Sequence, residues 1–435
     1  MKMTMKAAAA AVMAVCAASA AHAAGFMLTE QSAGALGRAY AGVGVDGTDL
    51  SGVYYNPATM TLHPGTQIQA GFVAVGLDLA YEGNDGSTEN GQYNTQAIPH
   101  GYISHQLTDN MWIGLAMTVP FGMGTEYDDN WNRANRGISA EVLTFDFNPN
   151  VAWKVSDKLS LGVGMSIQYA AADLKMKDGL SGITMDGEVD ADSIAWGFNV
   201  GLMWSPLDNL RFGLSYRSRI NHNADGDFTV DNLRYGDQPV DDPGDLGDMG
   251  QIVATALGTH DATATISTPA WLMATAAWDV NDLLSLYATF RWTDWSSFDT
   301  LNIKTSALDH IPGKNGVKTV ENHWQDTYLV SVGADLRFTN WWTFRAGIGY
   351  ETSAVDDPKY RTAIIPDADR LWLALGSSFK ATENMQIDVS AAWLHGIGER
   401  NLWSTDGSDR GTPKEIGKFE DLDAYLFGVQ LVYKF

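Results

Sequence analysis

Cysteine is almost absent: Cys16 is the only one in 435 residues, so disulfide frameworks and thiolate metal sites are excluded from the rest of the chain. Basic residues are scarce as well, 28 against 52 acidic, and so negative a chain is a poor partner for nucleic acid. No run of 18 apolar residues occurs, which excludes a helical membrane span. The nine histidines are scattered, and no nucleophile, base and orienting group can be assembled from their spacing, so an enzyme finds no support. The longest apolar stretch, Ala7 to Ala20, follows Lys2 and Lys6 and precedes Ala21-His22-Ala23. A basic start, about 14 apolar residues and a small-x-small site make a secretory signal peptide over residues 1–23. Its removal takes away Cys16 and leaves 26 basic against 52 acidic residues, a net charge of −26.

What the chain has in abundance is alternation. In its last nine residues Phe427, Val429, Leu431, Tyr433 and Phe435 alternate with Gly428, Gln430, Val432 and Lys434, giving one face for lipid and one for a wetter interior. The same period-2 pattern recurs near 66–82, 96–107, 110–120, 140–155, 159–175, 190–204, 208–222, 262–278, 282–298, 327–338, 341–352, 369–380, 384–397 and 422–435, which predicts fourteen strands. Connections between strands 2–3, 4–5, 6–7, 8–9, 10–11 and 12–13 are tight turns such as Thr108-Asp109-Asn110 and Phe338-Thr339-Asn340. The intervening ones are long, as at 122–138, 223–261, 299–326 and 398–421. Strict short and long alternation marks an all-β, antiparallel transmembrane barrel with periplasmic turns and extracellular loops, here over residues 66–435. An even strand number places both termini in the periplasm of a Gram-negative cell. Fifteen Trp and sixteen Tyr fit the aromatic girdles at the two membrane interfaces. A secreted β-sandwich would not explain the loop lengths.

Residues 24–65 do not alternate. They are rich in glycine and small residues, yet Leu28, Leu36, Tyr40, Val43, Tyr54, Tyr55 and Met60 are too apolar for a disordered tail. A segment of this length at the periplasmic end is expected inside the barrel as a plug. The stretch Asp225 to Asp248 holds eight Asp without calcium-loop spacing, and reads as a solvated surface loop, with weak cation bridging to lipopolysaccharide as a lesser alternative. Inside that acidic loop Met249, Ile252, Val253, Ala256 and Leu257 fall at helical spacing. The stripe either lines a groove or packs against neighbouring loops.

Several motifs share one pattern: Ala24-Gly25-Phe26-Met27-Leu28, Gly34-Ala35-Leu36-Gly37-Arg38-Ala39-Tyr40-Ala41-Gly42, Tyr55-Asn56-Pro57-Ala58, Trp292-Thr293-Asp294-Trp295-Ser296 and Ile365-Pro366-Asp367-Ala368-Asp369-Arg370. In this order, across the whole mature chain, they resemble the outer-membrane long-chain fatty acid transporter family, some of whose members take up aromatic hydrocarbons. The resemblance implies a monomer that binds a hydrophobic solute among its outer loops, passes it to an interior pocket gated by the N-terminus, and releases it sideways into the bilayer at a kink in the third strand. It implies no cofactor. Its partners are hydrophobic small molecules, the outer-membrane lipid and lipopolysaccharide. Carried onto this chain, it makes Phe26, Phe121, Met123, Gln325, Ile252 and Leu257 candidates for solute contact and Asn56, Pro57, Ala58, Pro120 and Gly122 candidates for gating.

The third strand ends Thr118-Val119-Pro120-Phe121-Gly122-Met123-Gly124. Proline donates no ladder hydrogen bond, so pairing is expected to fail here or the strand simply to stop. Two positions that are basic in the best-known fatty acid transporter align with Ala171 and Gln325. Either Arg217 or Arg291, inward by parity, then holds a carboxylate, or the solute is neutral. Parity also turns Arg211, Arg219 and Arg345 inward, facing Asp335, Glu351 and Asp388. Such charges serve as internal salt bridges or, in a general porin, as an ion-selecting ladder.

Overall fold

The computed structural model describes residues 25–435, except 92–94, 130, 132–133, 135–136, 181, 237, 311–314 and 405–413, and omits the side chains of 178–180 and 249. The expected signal peptide and Ala24 lie outside the described residues, as does the side chain of Met249.

Fourteen antiparallel strands close into one barrel. They are β1 Thr66–Gly83, β2 Gln96–Thr108, β3 in two parts (Met111–Thr118 and Gly122–Glu126), β4 Ser139–Ser156, β5 Leu159–Leu180, β6 Ile183–Leu207, and β7, also in two parts (Leu210–Arg217 and Ile220–Tyr235). Then follow β8 (Gly258–Thr268 and Trp271–Asp279), β9 Leu284–Thr293, β10 Thr327–Arg337, β11 Trp342–Glu351, β12 Asp369–Lys380, β13 Met385–Ile397 and β14 Glu415–Lys434. The barrel closes where β1 pairs with β14, from Gln67 opposite Lys434 to Gly83 opposite Gly417, with one irregularity between Ala80 and Tyr81. The expected tight turns are the short connections.

The outward faces are those of a body solvated by hydrocarbon. Phe72, Val151, Val163, Phe198, Leu214, Val330, Ile348, Leu375 and Phe427 are exposed, while Gln69, Asp146, Asn148, Ser215, Asp335 and Gln430 are buried. Every strand hydrogen-bonds on both sides except at the breaks described below, as a medium without water requires. Trp153, Trp204, Trp278 and Trp341 stand out near the periplasmic turns and Trp196, Tyr350 and Tyr425 near the opposite rim, forming the two girdles.

Strands β5 to β8 run well past the membrane band. The stretch expected as a long acidic loop at 223–261 is largely strand: Ile220–Tyr235 pairs with Gly258–Thr268 and with β6. Its outward positions, Asp225, Asp227 and Asp261, are exposed, and its inward ones, Ala224, Phe228 and Val230, are buried. The alternation persists there, but water replaces lipid on the outer face and the outward residues become acidic. Between these strands a helix, Gly247–Ala254, buries Val253 and, just beyond its end, Ala256, against Phe228, Ile303 and Leu308.

Residues 25–65 fill the lumen and are almost wholly buried. Two short helices, Ala33–Leu36 capped by the Ser32 side chain and Gly52–Tyr55, lead into a 3-10 turn at Pro57–Leu62. The inward charges hold this plug. Arg38 pairs with Asp335 at 2.9 Å and with Asp46, and Arg345 pairs with Asp388 at 3.2 Å while donating to the Gly34 carbonyl at 3.1 Å. The wall is thinned to admit it: a Cβ on Gly347 would stand 2.2 Å from the backbone carbonyl carbon of Arg38, and one on Gly201 would stand 2.0 Å from the Asn56 side chain.

Candidate functional site

The break in β3 is where plug and wall meet. Its lower part pairs with β2 only from Met117 opposite Gly101 down to Met111 opposite Thr108. Above that level Gln96–His100 of β2 pairs with β1 alone, and Gly122–Glu126 pairs with β4 alone. The ladder is therefore open between these two edges. Pro99 lies in the stretch of β2 that pairs with β1 but has no β3 partner, and it is a sequence signal for the opening, because proline is confined to strand edges.

The N-terminal segment of the plug lies across this break. Leu28 N donates to Pro120 O at 2.8 Å and Gly122 N to Phe26 O at 2.9 Å, and Met27 and Phe121 form a bridge pair. Gln31 adds a side-chain pair, its Nε2 donating to Val119 O at 2.6 Å and its Oε1 accepting from Val119 N at 3.3 Å. Backbone groups freed by Pro120 thus find partners in residues 26–31 instead of in a neighbouring strand. A Cβ on Gly122 would stand 2.9 Å from the Leu28 side chain, so the small residue there lets the two backbones approach.

Phe26 is buried in an aromatic cluster. Its ring lies 4.8 Å from Trp295, 5.4 Å from Phe298, 6.0 Å from Phe121 and 6.1 Å from Trp324, mostly edge to face. Phe121 and Met123 belong to the same buried core. On the far side of Phe26 is a narrow cavity of about 20 Å3, walled by Val142, Ala171, Ala191 and Ile266 and by the polar groups Thr144, Ser193, His222 and Thr268. That is room for roughly one water molecule, so a longer guest fits only when Phe26 yields.

The remaining candidates are placed elsewhere. Gln325 is exposed and its amide donates to Ser353 O at 3.2 Å, outside the cavity. Ile252 and Leu257 are half-buried at the edge of the extracellular apolar cluster. Asn56, Pro57 and Ala58 sit below the cavity, Asn56 Nδ2 donating to Leu202 O at 3.0 Å, with Gly162 and Gly201 making room for the turn. Arg217 and Arg291 are both committed. Arg217 contacts Asp146 at 3.4 Å, Tyr54 O at 2.8 Å and Asn148 at 3.1 Å, and stacks on Tyr54 at 4.0 Å. Arg291 contacts Glu351 at 2.8 Å and Thr29 at 3.1 Å.

Parity fails at one informative place. Arg219, expected inward, is exposed and pairs with Asp294 at 2.5 Å. The strand breaks at Ser218 and Arg219, so odd residues face inward below it and even ones, Ile220, His222 and Ala224, above it. The same slip occurs in β8 between Thr268 and Trp271. It turns His222 and Thr268 into the cavity, against the alternation of the lower parts of both strands.

Related proteins share this architecture. A long-chain fatty acid transport protein of Escherichia coli O6:H1 is 27% identical over 446 residues, 95% of this chain and 94% of that one. The crystal structure of a Pseudomonas aeruginosa FadL homologue superposes with a TM-score of 0.83 at 23% identity, covering 95% of this chain and all of the other. The Pseudomonas putida toluene transporter TodX follows with 0.73 at 16%, covering 94% and 99%. The sequence profile described as "Outer membrane protein transport protein (OMPP1/FadL/TodX)" matches residues 14–435. The chain, a closed fourteen-stranded barrel of the Gram-negative outer membrane, belongs to that family.

Proposed function

We propose that this protein is an uptake channel for long-chain fatty acids or similar hydrophobic compounds, working by gated passive diffusion with lateral release. One observation carries the reading: residues 26–31 close the cavity through Phe26 and, with the same backbone, occupy the break in β3. A guest that displaces Phe26 withdraws partners from Val119, Pro120 and Gly122 and uncovers the gap beside Gln96–His100. On the lipid side an apolar depression lined by Phe72, Ala97 and Pro99 begins at that edge. Transfer runs down the solute's partition into the bilayer, so no cofactor is called for. The apolar stripe with Ile252 and Leu257 serves as an outer collecting surface. Asn56-Pro57-Ala58 act as the fixed hinge base of the gate. The barrel closes on itself through β1 and β14, which suits a monomer in lipid and lipopolysaccharide.

A second reading, transport of neutral or aromatic hydrocarbons, is favoured by the ion-pairing of both Arg217 and Arg291. A general porin is disfavoured because the lumen is filled. The test is a Met27→Cys/Phe121→Cys protein, since directly opposed bridge residues suit a disulfide. Uptake of a radiolabelled fatty acid or hydrocarbon should stop on oxidation and return on reduction. Undiminished uptake by fully bridged protein would exclude the gate.

A further inference from the structure

The polar side of the cavity behind Phe26 has a definite hydrogen-bonding sense. His222 is fully buried, with Nε2 at 2.9 Å from Gln168 Oε1 and Nδ1 at 2.8 Å from Ser193 Oγ. The amide of Gln168 is oriented by Asp146, which accepts from its Nε2 at 3.4 Å, and by Thr268, whose hydroxyl donates to its Oε1 at 3.3 Å. His222 Nε2 therefore carries the proton and donates, and in the neutral ring Nδ1 accepts from the Ser193 hydroxyl. The ring lies above the hydrocarbon band, its strand neighbours Asn221 and Asn223 being exposed and polar. Burial there disfavours protonation, and no carboxylate touches the ring to offset it.

Counting donors decides the matter. His222 Nε2–H and the Thr268 hydroxyl are spent on Gln168, and the Ser193 hydroxyl on His222. The Thr144 hydroxyl is spent on Phe121 O at 2.8 Å and also accepts from Phe121 N at 2.9 Å. What the described lining residues still offer is acceptor lone pairs, on Ser193 and Thr268. No guanidinium or ammonium is among them. A carboxylate brings only acceptors, so it would meet lone pairs across a low-dielectric gap. A hydroxyl brings the missing donor.

We infer that the pocket selects a long apolar molecule with an uncharged, hydrogen-donating head group, such as an alcohol or a protonated acid, with Ser193 and Thr268 accepting and His222 and Gln168 holding those oxygens in place. This rests on the reading of the cavity as the solute site and specifies its substrate class.

Binding of four probes of matched length to the purified full-length barrel in detergent tests it: hexadecane, 1-hexadecanol, methyl hexadecyl ether and hexadecanoate at pH 8. Hexadecanol should bind about five- to tenfold more tightly than the ether, the scale of one buried hydrogen bond, and at least as far ahead of hexadecanoate. Ser193→Ala with Thr268→Val should remove the alcohol's advantage over the ether; should that protein fail to assemble, the native series decides alone. Equal affinity for alcohol and ether, or tighter binding of hexadecanoate, overturns the head-group assignment and leaves the channel reading standing. Failure of all four to bind overturns both.

Discussion

Truncating Phe26 to alanine isolates the gate from the rest of the plug. The ring is buried among Trp295, Phe298, Phe121 and Trp324. Removing a phenyl group from such a site costs about 3–5 kcal/mol, part of it the roughly 0.5–1.5 kcal/mol that each aromatic edge contact adds to area burial. The backbone bonds from Leu28 N to Pro120 O and from Gly122 N to Phe26 O survive the change, so the segment should still dock, but in a shallower well. The closed-to-open ratio should then fall by about a hundred- to several thousandfold, at 1.4 kcal/mol per factor of ten. Hydrogen exchange reads this directly. The amides of Leu28 and Gly122 should exchange faster by a factor of that order in Phe26→Ala, while the Asn56 amide, which donates to Gly52 O inside the anchored part of the plug, should keep its protection. Equal acceleration at all three would mean that the whole plug had loosened, and unchanged protection at Leu28 would show that the aromatic cluster does not hold the segment. Either result refutes the gate as reasoned.

Other perturbations follow from the same geometry. Arg38→Ala leaves Asp46 buried without its ion-pair partner and Asp335 with only the longer contact to Arg345 at 3.6 Å, which should lower stability by about 3–5 kcal/mol in chemical unfolding of the refolded barrel, and planar-bilayer recordings should show ion leak absent from the native protein. Gly347→Val places a branched side chain in the backbone of Arg38; the barrel should still form, judged by its heat-dependent gel mobility, but with the plug displaced and protease-sensitive. Arg217→Ala strips Asp146 of its guanidinium and should destabilise the barrel by a similar amount, without changing the relative binding of a long-chain acid and its methyl ester. A lost preference for the acid in that protein would make Arg217 a head-group ligand after all.

The chain's local pattern determined the fold. Period-2 alternation, the turn residues at 108–110 and 338–340 and the aromatic end of β14 each act within a few residues, so the barrel, its strand number and its outward faces were legible from them. That residues 25–65 are buried agrees with their sequence, which neither alternates nor suits water. Which partners the inward residues meet is a different kind of information. Arg217 and Arg291 point inward as alternation requires, but only the tertiary structure brings Asp146 and Glu351 against them and so removes both from the list of free cations. A one-residue slip at Ser218 and Arg219 reverses the inward set of β7. It leaves no mark in composition, yet it sends Arg219 out to Asp294 and His222 into the cavity. At Pro120 the sequence left two alternatives, a failure of pairing or a strand that stops, and only the second part of β3, Gly122–Glu126, decides for a break. That residues 26–31, some ninety positions earlier, complete it was not readable, because backbone hydrogen bonds across such a separation depend on how the closed barrel positions its plug and not on any side chain nearby.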